Sequence, residues 1–593
     1  MSLSLDDQRW PERLPGHGSA NSTIMTAEGQ KTRAMITDPK AAGISTQRLQ
    51  ETVATLSALG RKLPGSDSAA TACSLICERL TSAGVANQVL ELEAFVSWPV
   101  KASLTLGDSV LPANGSAFTA PADNLTGRVT RSLAPGDLQG AFLVIDGLPR
   151  YDACISAQRA GALGVIAISH GPQRHYVQAS PLWGAPTGPA DLALLPSVPA
   201  VQVSRDASAV LEQAIASGSQ VTMASDIRTE WRAARQPLGE IEGREPGYVL
   251  LGAHYCTWGD GATDNTAGVA LLIELARLLK QQPQPRYGIK FAFWTGHEQG
   301  GYAGSSWYAD AFRDSLYRDA IAYLNVDIVG SRGGTTKALR NTTAELAGYV
   351  RQVLDGTVGK QTQEEEEFVD RSVKRLDPYV DPRRSARNSD QSFSGIGLAS
   401  AQVSAFLPAA SPEHLHGSGL AWWWHTDQDT IEHMDADVLA IDTLIYRNLV
   451  AGLIDAPALP FSPQAMAGDV LAGLRAYREA APGLADIARL TGLAERLADA
   501  LAGWTPTAAD DRLLLRLGRH LNPVLYHARS AFEFDLGRAS RILPGLAAAL
   551  TLDRLDADAA RMARVQLRQR ANRIAHGLSQ AIELVEAARG DAL

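Results

Sequence analysis

From residue 247 onward, short continuous apolar runs alternate with stretches in which apolar positions recur every three or four residues. YVLLGAHY, YGIKFAFW and AIAYLNVDIVG have strand length, and GVALLIELARLLK, after the first, has helix spacing. Apolar strands spaced by helices predict a parallel sheet covered on both faces, an α/β fold. Upstream, TQRLQETVATLSALG and AATACSLICERLTSAG predict two helices between Gln47 and Gly84 framing a Pro-Gly-Ser turn. Between about residues 97 and 227 the runs LTGRVTRSL, AFLVIDG, ALGVIAIS and VPAVQVS predict a β-rich insert holding one helix, ACISAQRAGA. After about residue 459 strand patterns stop, and two long amphipathic stretches predict a helical bundle. The expected organisation is therefore a polar arm over 1–45, an α/β domain over 46–96 and 228–458, the insert over 97–227, and a helical domain over 459–593. The tail stripe Leu484, Ile487, Leu490, Leu493 and Leu497 is more apolar surface than the α/β domain alone would cover, which predicts a homodimer through this region.

Composition narrows the function classes. A chain of 593 residues with 45% hydrophobic and 20% charged residues is ordinary globular protein of more than one domain. Its apolar runs fall well short of the 18 or so residues of a membrane span, so no membrane partner is expected. A formal charge of -9 argues against nucleic acid and for a small-molecule or peptide substrate. Cys73, Cys77, Cys154 and Cys256 are too few and too irregular for a disulfide framework or a zinc ribbon. With an acidic, proline-containing start, MSLSLDDQRWPERLPG, the expected location is cytoplasmic.

In an open α/β sheet, residues at the carboxyl ends of successive strands converge on one crevice. His254 ends the first strand in LGAHYCTW, and Asp264 follows in GDGATDNTAG. Glu298 follows the second strand in FAFWTGHEQGG, Asp327 ends the third in YLNVD, and His425 stands in AWWWHTDQDT after the strand-like GLASAQVS. Two imidazoles and three carboxylates suit a pair of borderline divalent ions with one carboxylate bridging. The order and context of these residues resemble the di-zinc aminopeptidase family. GDLQGAFLVIDG followed by ISAQRAGALGVIAIS resembles its protease-associated domain, and insert and helical tail together resemble the glutamate carboxypeptidase and transferrin receptor branch. The resemblance implies one or two divalent ions per chain, zinc by family habit. His254 and Asp327 would hold one, Glu298 and His425 the other, with Asp264 bridging; it also implies tail-to-tail pairing of two chains.

Two positions depart from the family pattern. Where the family has a carboxylate two residues after the first histidine, this chain has Cys256, open to a packing, ligand or nucleophile role. Where the family pairs two glutamates, this chain has His297 before Glu298, and an imidazole can serve as general base or bind a metal. Trp424, in the Trp422–Trp424 run, is a candidate pocket wall, Arg387 beside Arg383 and Arg384 a candidate carboxylate clamp, and Asp390 in NSDQSF a loop organiser near the site or a substrate-site residue. The expected function is a metal-dependent hydrolase of a peptide-like or other amide bond in a small substrate, with His297 as base. The alternatives are a non-catalytic binding or scaffold protein on a peptidase fold and a metal-dependent lyase.

Overall fold

The computed structural model describes residues 35–134, 136–368, 388–415, 418–481, 484, 486–537 and 541–590; most of the arm, and Arg383, Arg384 and Arg387, lie outside them. The strands are β1 (Ala86–Leu106), β2 (Ser109–Gly115), β3 (Ala122–Thr130), β4 (Ala141–Asp146), β5 (Gly164–Ile168), β6 (Ala200–Val203), β7 (Gln220–Ile241), β8 (Tyr248–His254), β9 (Gly288–Trp294), β10 (Ala320–Asn325), β11 (Thr336–Arg340) and β12 (Ala399–Phe406).

The α/β half has strand order β7-β9-β8-β10-β12-β11. Its middle four strands are parallel, and β7 and β11 flank them antiparallel, so the mostly parallel sheet expected from the sequence is mixed at its edges. Every residue of β8, β10 and β12 is buried, the state of a strand covered on both faces. Along β8, Val249, Leu251 and Ala253 join one core, with helices Thr46–Ser57, Asp67–Ser82, Ala267–Lys280 and Ala436–Ile454. Tyr248 and Leu250 join another on the opposite face, with Trp294, Tyr308 and Tyr323. Gly252 lies where a Cβ would come within 2.2 Å of Trp294 Nε1 and 2.6 Å of the Tyr323 hydroxyl, so no larger residue fits at that approach.

β1 and β7 are 21 and 22 residues long and pair antiparallel from Ala86↔Glu240 to Thr105↔Thr222. Their distal halves close the ring β1-β2-β6-β5-β4-β3-β7, which has its own core around Leu104, Phe142, Ile166, Val201 and Met223. Residues 97 and 227 therefore fall inside continuous strands, because backbone pairing runs on unbroken where side-chain burial changes hands. Inside the ring's connections, ACISAQRAGA forms helix Tyr151–Arg159.

Helices Pro463–Ala480, Asp486–Leu501, Asp511–Tyr526 and Ala557–Gly590 form the C-terminal helical region. Ile487, Leu490 and Leu497 are buried in its core with Leu474, Leu517, Leu521 and Leu578, and Leu484 and Leu493 pack against them. The stripe expected to need a second copy is thus covered by helices of its own chain. Buried Arg519 ties this region to the sheet, donating to the carbonyls of Tyr317 (2.9 Å), Gly397 (3.0 Å) and Leu316 (3.2 Å). Among the described residues no helix is long and apolar enough to cross a membrane.

Candidate metal centre

The carboxyl ends of β8, β9 and β10, with the loops after β8 and β12, bring His254, Asp264, Glu298, Asp327 and His425 together. Asp264 faces both imidazoles, Oδ1 at 3.1 Å from His254 Nε2 and Oδ2 at 3.1 Å from His425 Nε2. Asp327 Oδ1 lies 3.5 Å from His254 Nε2, and Glu298 Oε1 3.1 Å from His425 Nε2. The donor atoms of His254, Asp264 and Asp327 all lie within 4.8 Å of one another, as do those of Asp264, Glu298 and His425. Two three-donor clusters sharing one carboxylate are what a pair of bridged divalent ions requires.

The side chains fit cations in three further ways. His254 Nε2 and Asp327 Oδ1 are buried without a hydrogen-bond partner, a costly state that a bound cation would relieve. Each imidazole donates from Nδ1 to a backbone carbonyl, His254 to Cys256 (2.9 Å) and His425 to Tyr176 (2.8 Å), which turns both Nε2 lone pairs toward the carboxylates. The electrostatics also favour positive charge. Burial opposes protonation of both imidazoles, yet Asp264 and Asp327 raise His254 well above its ordinary value, and Glu298 and Asp264 raise His425 to about 9. Burial likewise opposes ionisation of Asp264, yet the two imidazoles hold its carboxyl far below the usual range.

Residues around the donors hold them in place. Asp429, buried four positions after His425, accepts from Thr263 N–H (3.0 Å), Thr263 Oγ1 (2.7 Å) and Asp264 N–H (3.0 Å), and burial pushes its own carboxyl up to about 7. Trp258 Nε1 donates to Glu298 Oε2 at 2.9 Å, and Asn388 Nδ2 to Asp327 Oδ2 at 2.8 Å. His425 (φ +59°) and Ile328 (φ +59°), beside Asp327, sit in the left-handed region, strain of a kind concentrated at functional sites. None of these supporting roles was read from the sequence. HTDQDT and NSDQSF carried a faint signal for Asp429 and Asn388, but nothing linked Tyr176 to His425 across 249 positions.

The His297 ring stacks on His254 with centroids 4.0 Å apart and meets Tyr302 edge-on at 4.4 Å. Its Nδ1 is 3.2 Å from Ser389 Oγ, and it has a donor atom within 4.8 Å of those of His254 and Glu298. Cys256 is buried, and its Sγ accepts the His297 N–H at 3.2 Å; it is in none of the three donor clusters found among the described residues. Of the tryptophans, Trp423 is buried against His433, whereas Trp424 stacks on His425 with centroids 3.5 Å apart. Asp390 is buried at the start of helix Gln391–Ser394, and its carbonyl accepts from Phe393 N–H (3.0 Å).

The donor set stands at strand ends of a mixed, mostly parallel sheet, and comparison with known proteins places a similarity on the same segment: residues 238–449 match Peptidase family M28. Over 128 residues it is 38% identical to aminopeptidase NAALADL1 of Mus musculus, a match covering 20% of this chain and 17% of that one. Over 127 residues it is 35% identical to the probable glutamate carboxypeptidase VP8 of Zea mays, covering 20% and 18%. The aligned part therefore spans under a fifth of either relative. The fold is similar to that of BSAP, a zinc aminopeptidase from Bacillus subtilis, with a TM-score of 0.51 and 19% identity over 70% of this chain and 96% of that one.

Proposed function

We propose that the chain is a metal-dependent hydrolase acting on a peptide or other amide bond of a small substrate, with zinc as the metal. The observation that carries this reading is the shared Asp264, with one carboxylate oxygen 3.1 Å from each of two imidazoles that both aim Nε2 inward. Divalent ions at the two clusters would supply Lewis-acid polarisation of a scissile carbonyl and make water a better nucleophile at neutral pH. His297 takes the place of the carboxylate base: its imidazole, stacked on His254 at the edge of both clusters, takes a proton from the attacking water and returns it to the leaving amine. Trp424, stacked beside His425, walls the substrate side. A second reading, His297 as ligand, is favoured by the proximity of its donor atom to those of His254 and Glu298.

Metal analysis coupled to a turnover screen over peptides, N-acyl amino acids and amides tests the proposal. Bound metal with turnover supports it, whereas metal without turnover of any of them leaves a binding protein. Reaction in heavy-oxygen water separates hydrolysis from elimination, since only hydrolysis places solvent oxygen in the product. Four free thiols support the cytoplasmic reading. With the tail stripe covered, the homodimer reading rests on the outer face of helix Ala557–Gly590, where Met562 and Val565 are exposed. Light scattering near 63 kDa would rule that dimer out.

A further inference from the structure

Within the insert, Tyr176 bonds His425 directly. Tyr176 N–H donates to the His425 carbonyl at 2.7 Å, and His425 Nδ1 donates to the Tyr176 carbonyl at 2.8 Å, so one residue pins both the backbone and the ring of His425. The Tyr176 ring stacks on Trp258 with centroids 5.6 Å apart and planes 10° from parallel. Trp258 in turn donates to Glu298 Oε2 at 2.9 Å, leaving Oε1 facing His425 Nε2. A second rung, His175 Nδ1 to the Trp424 carbonyl at 2.7 Å, ties down the residue before His425. Arg61 lies 4.9 Å from the Tyr176 ring centroid and donates to the Pro99 carbonyl, which fixes the ring from the α/β side. His425 holds a left-handed backbone, a conformation that persists only where neighbours over-determine it. The other cluster has no such dependence, because His254, Asp327 and Asp264 are held by Cys256, Asn388 and Asp429 of the α/β domain.

Building on the metal-centre reading, we infer that Tyr176 is a positioning residue for one half of that centre, the Asp264–Glu298–His425 cluster, and leaves the His254–Asp264–Asp327 cluster untouched. Through Tyr176 the insert sets whether the site holds one ion or two.

The test is zinc titration of the metal-stripped full-length chain, wild type against Tyr176→Ala, Tyr176→Phe, Trp258→Phe and Trp258→Leu, with anomalous scattering locating ions retained at limiting zinc. Wild type should bind two ions and Tyr176→Phe, which keeps the ring, should match it. Tyr176→Ala keeps the two main-chain bonds to His425 but removes the ring that Trp258 and Arg61 hold, so that main chain loses its anchor; it should hold one ion as tightly as wild type, at His254 and Asp327, and bind the second about 10-fold more weakly, the low end of the effect of disturbing a group that orients a ligand. Trp258→Phe removes the donor to Glu298 and shrinks the ring on which Tyr176 stacks, so it should show the same one-sided loss, and Trp258→Leu, which removes the stacking partner altogether, tests the Tyr176 link if Tyr176→Ala does not fold. Unchanged affinity for both ions in Tyr176→Ala or in either Trp258 variant, or an equal loss of both, overturns the inference. A wild-type protein that binds no zinc overturns the metal-centre reading itself.

Discussion

Asp429 makes the sharpest demand on the structure. Its carboxylate accepts three hydrogen bonds from the loop carrying Asp264, all buried. In Asp429→Asn the amide oxygen can keep both bonds to Thr263, but the amide nitrogen then faces the Asp264 N–H, donor against donor. One buried N–H is left unpaired, which costs about 1–3 kcal/mol. In Asp429→Ala all three donors lose their acceptor, and the same reasoning gives a loss of at least about 3 kcal/mol. Because Asp264 is shared by the two clusters, both ions should weaken together, by roughly 10- to 100-fold, in contrast to the one-sided loss at Tyr176. Urea unfolding of the metal-free protein reads the first quantity and zinc titration the second. If Asp429→Asn unfolds at the wild-type urea concentration and binds both ions normally, the role given to this carboxylate is wrong.

Further outcomes follow from the same geometry. His297→Ala should lower kcat by at least about a hundredfold with metal content near normal, as for a lost general base, whereas loss of an ion would make it a ligand. Cys256→Ser, which keeps an acceptor for the His297 N–H, should retain metal and most activity; abolished turnover at full metal content would establish a nucleophile. His175 is buried, and that burial lowers its pKa from 6.5 to about 4, so the unfolded chain takes up the proton first. Its stabilising contribution is then complete above pH 6.5 and lost as pH falls toward 4, by about 2 kcal/mol between pH 7 and pH 5. That increment should vanish in His175→Gln, measured by denaturant unfolding at the two pH values.

Much of the α/β half was legible because the information is local. Continuous apolar runs of strand length, separated by a helix-spaced run, specify strands buried on both faces, and the crevice at their carboxyl ends draws attention to His254, Glu298 and Asp327 without any knowledge of register. What the sequence hid depends on long-range packing. Tyr176 looks like any aromatic residue in a loop until the insert folds back on His425, and Asp429 looks like one of several acids in HTDQDT until its oxygens meet Thr263 and Asp264. The tail stripe misled for a related reason. Amphipathicity shows that Leu490 and Leu497 need cover but not whose, and helices Asp511–Tyr526 and Ala557–Gly590 supply it from the same chain.

The two long strands that the insert shares with the α/β sheet also govern the order in which a nascent chain can fold. Leu49, Val53, Ile76 and Leu80, on the first two helices, bury against Val269, Leu272 and Leu279, residues that leave the ribosome only after the whole insert has been made. Throughout that interval the early helices carry an apolar face with no native cover, while the ring already has a core of its own to collapse around. Pairing of Ala86 with Glu240 then joins the two ends of the insert and brings the waiting helices next to the emerging sheet. Weakening the ring's core should therefore expose the N-terminal helices to chaperones although no residue of theirs has changed.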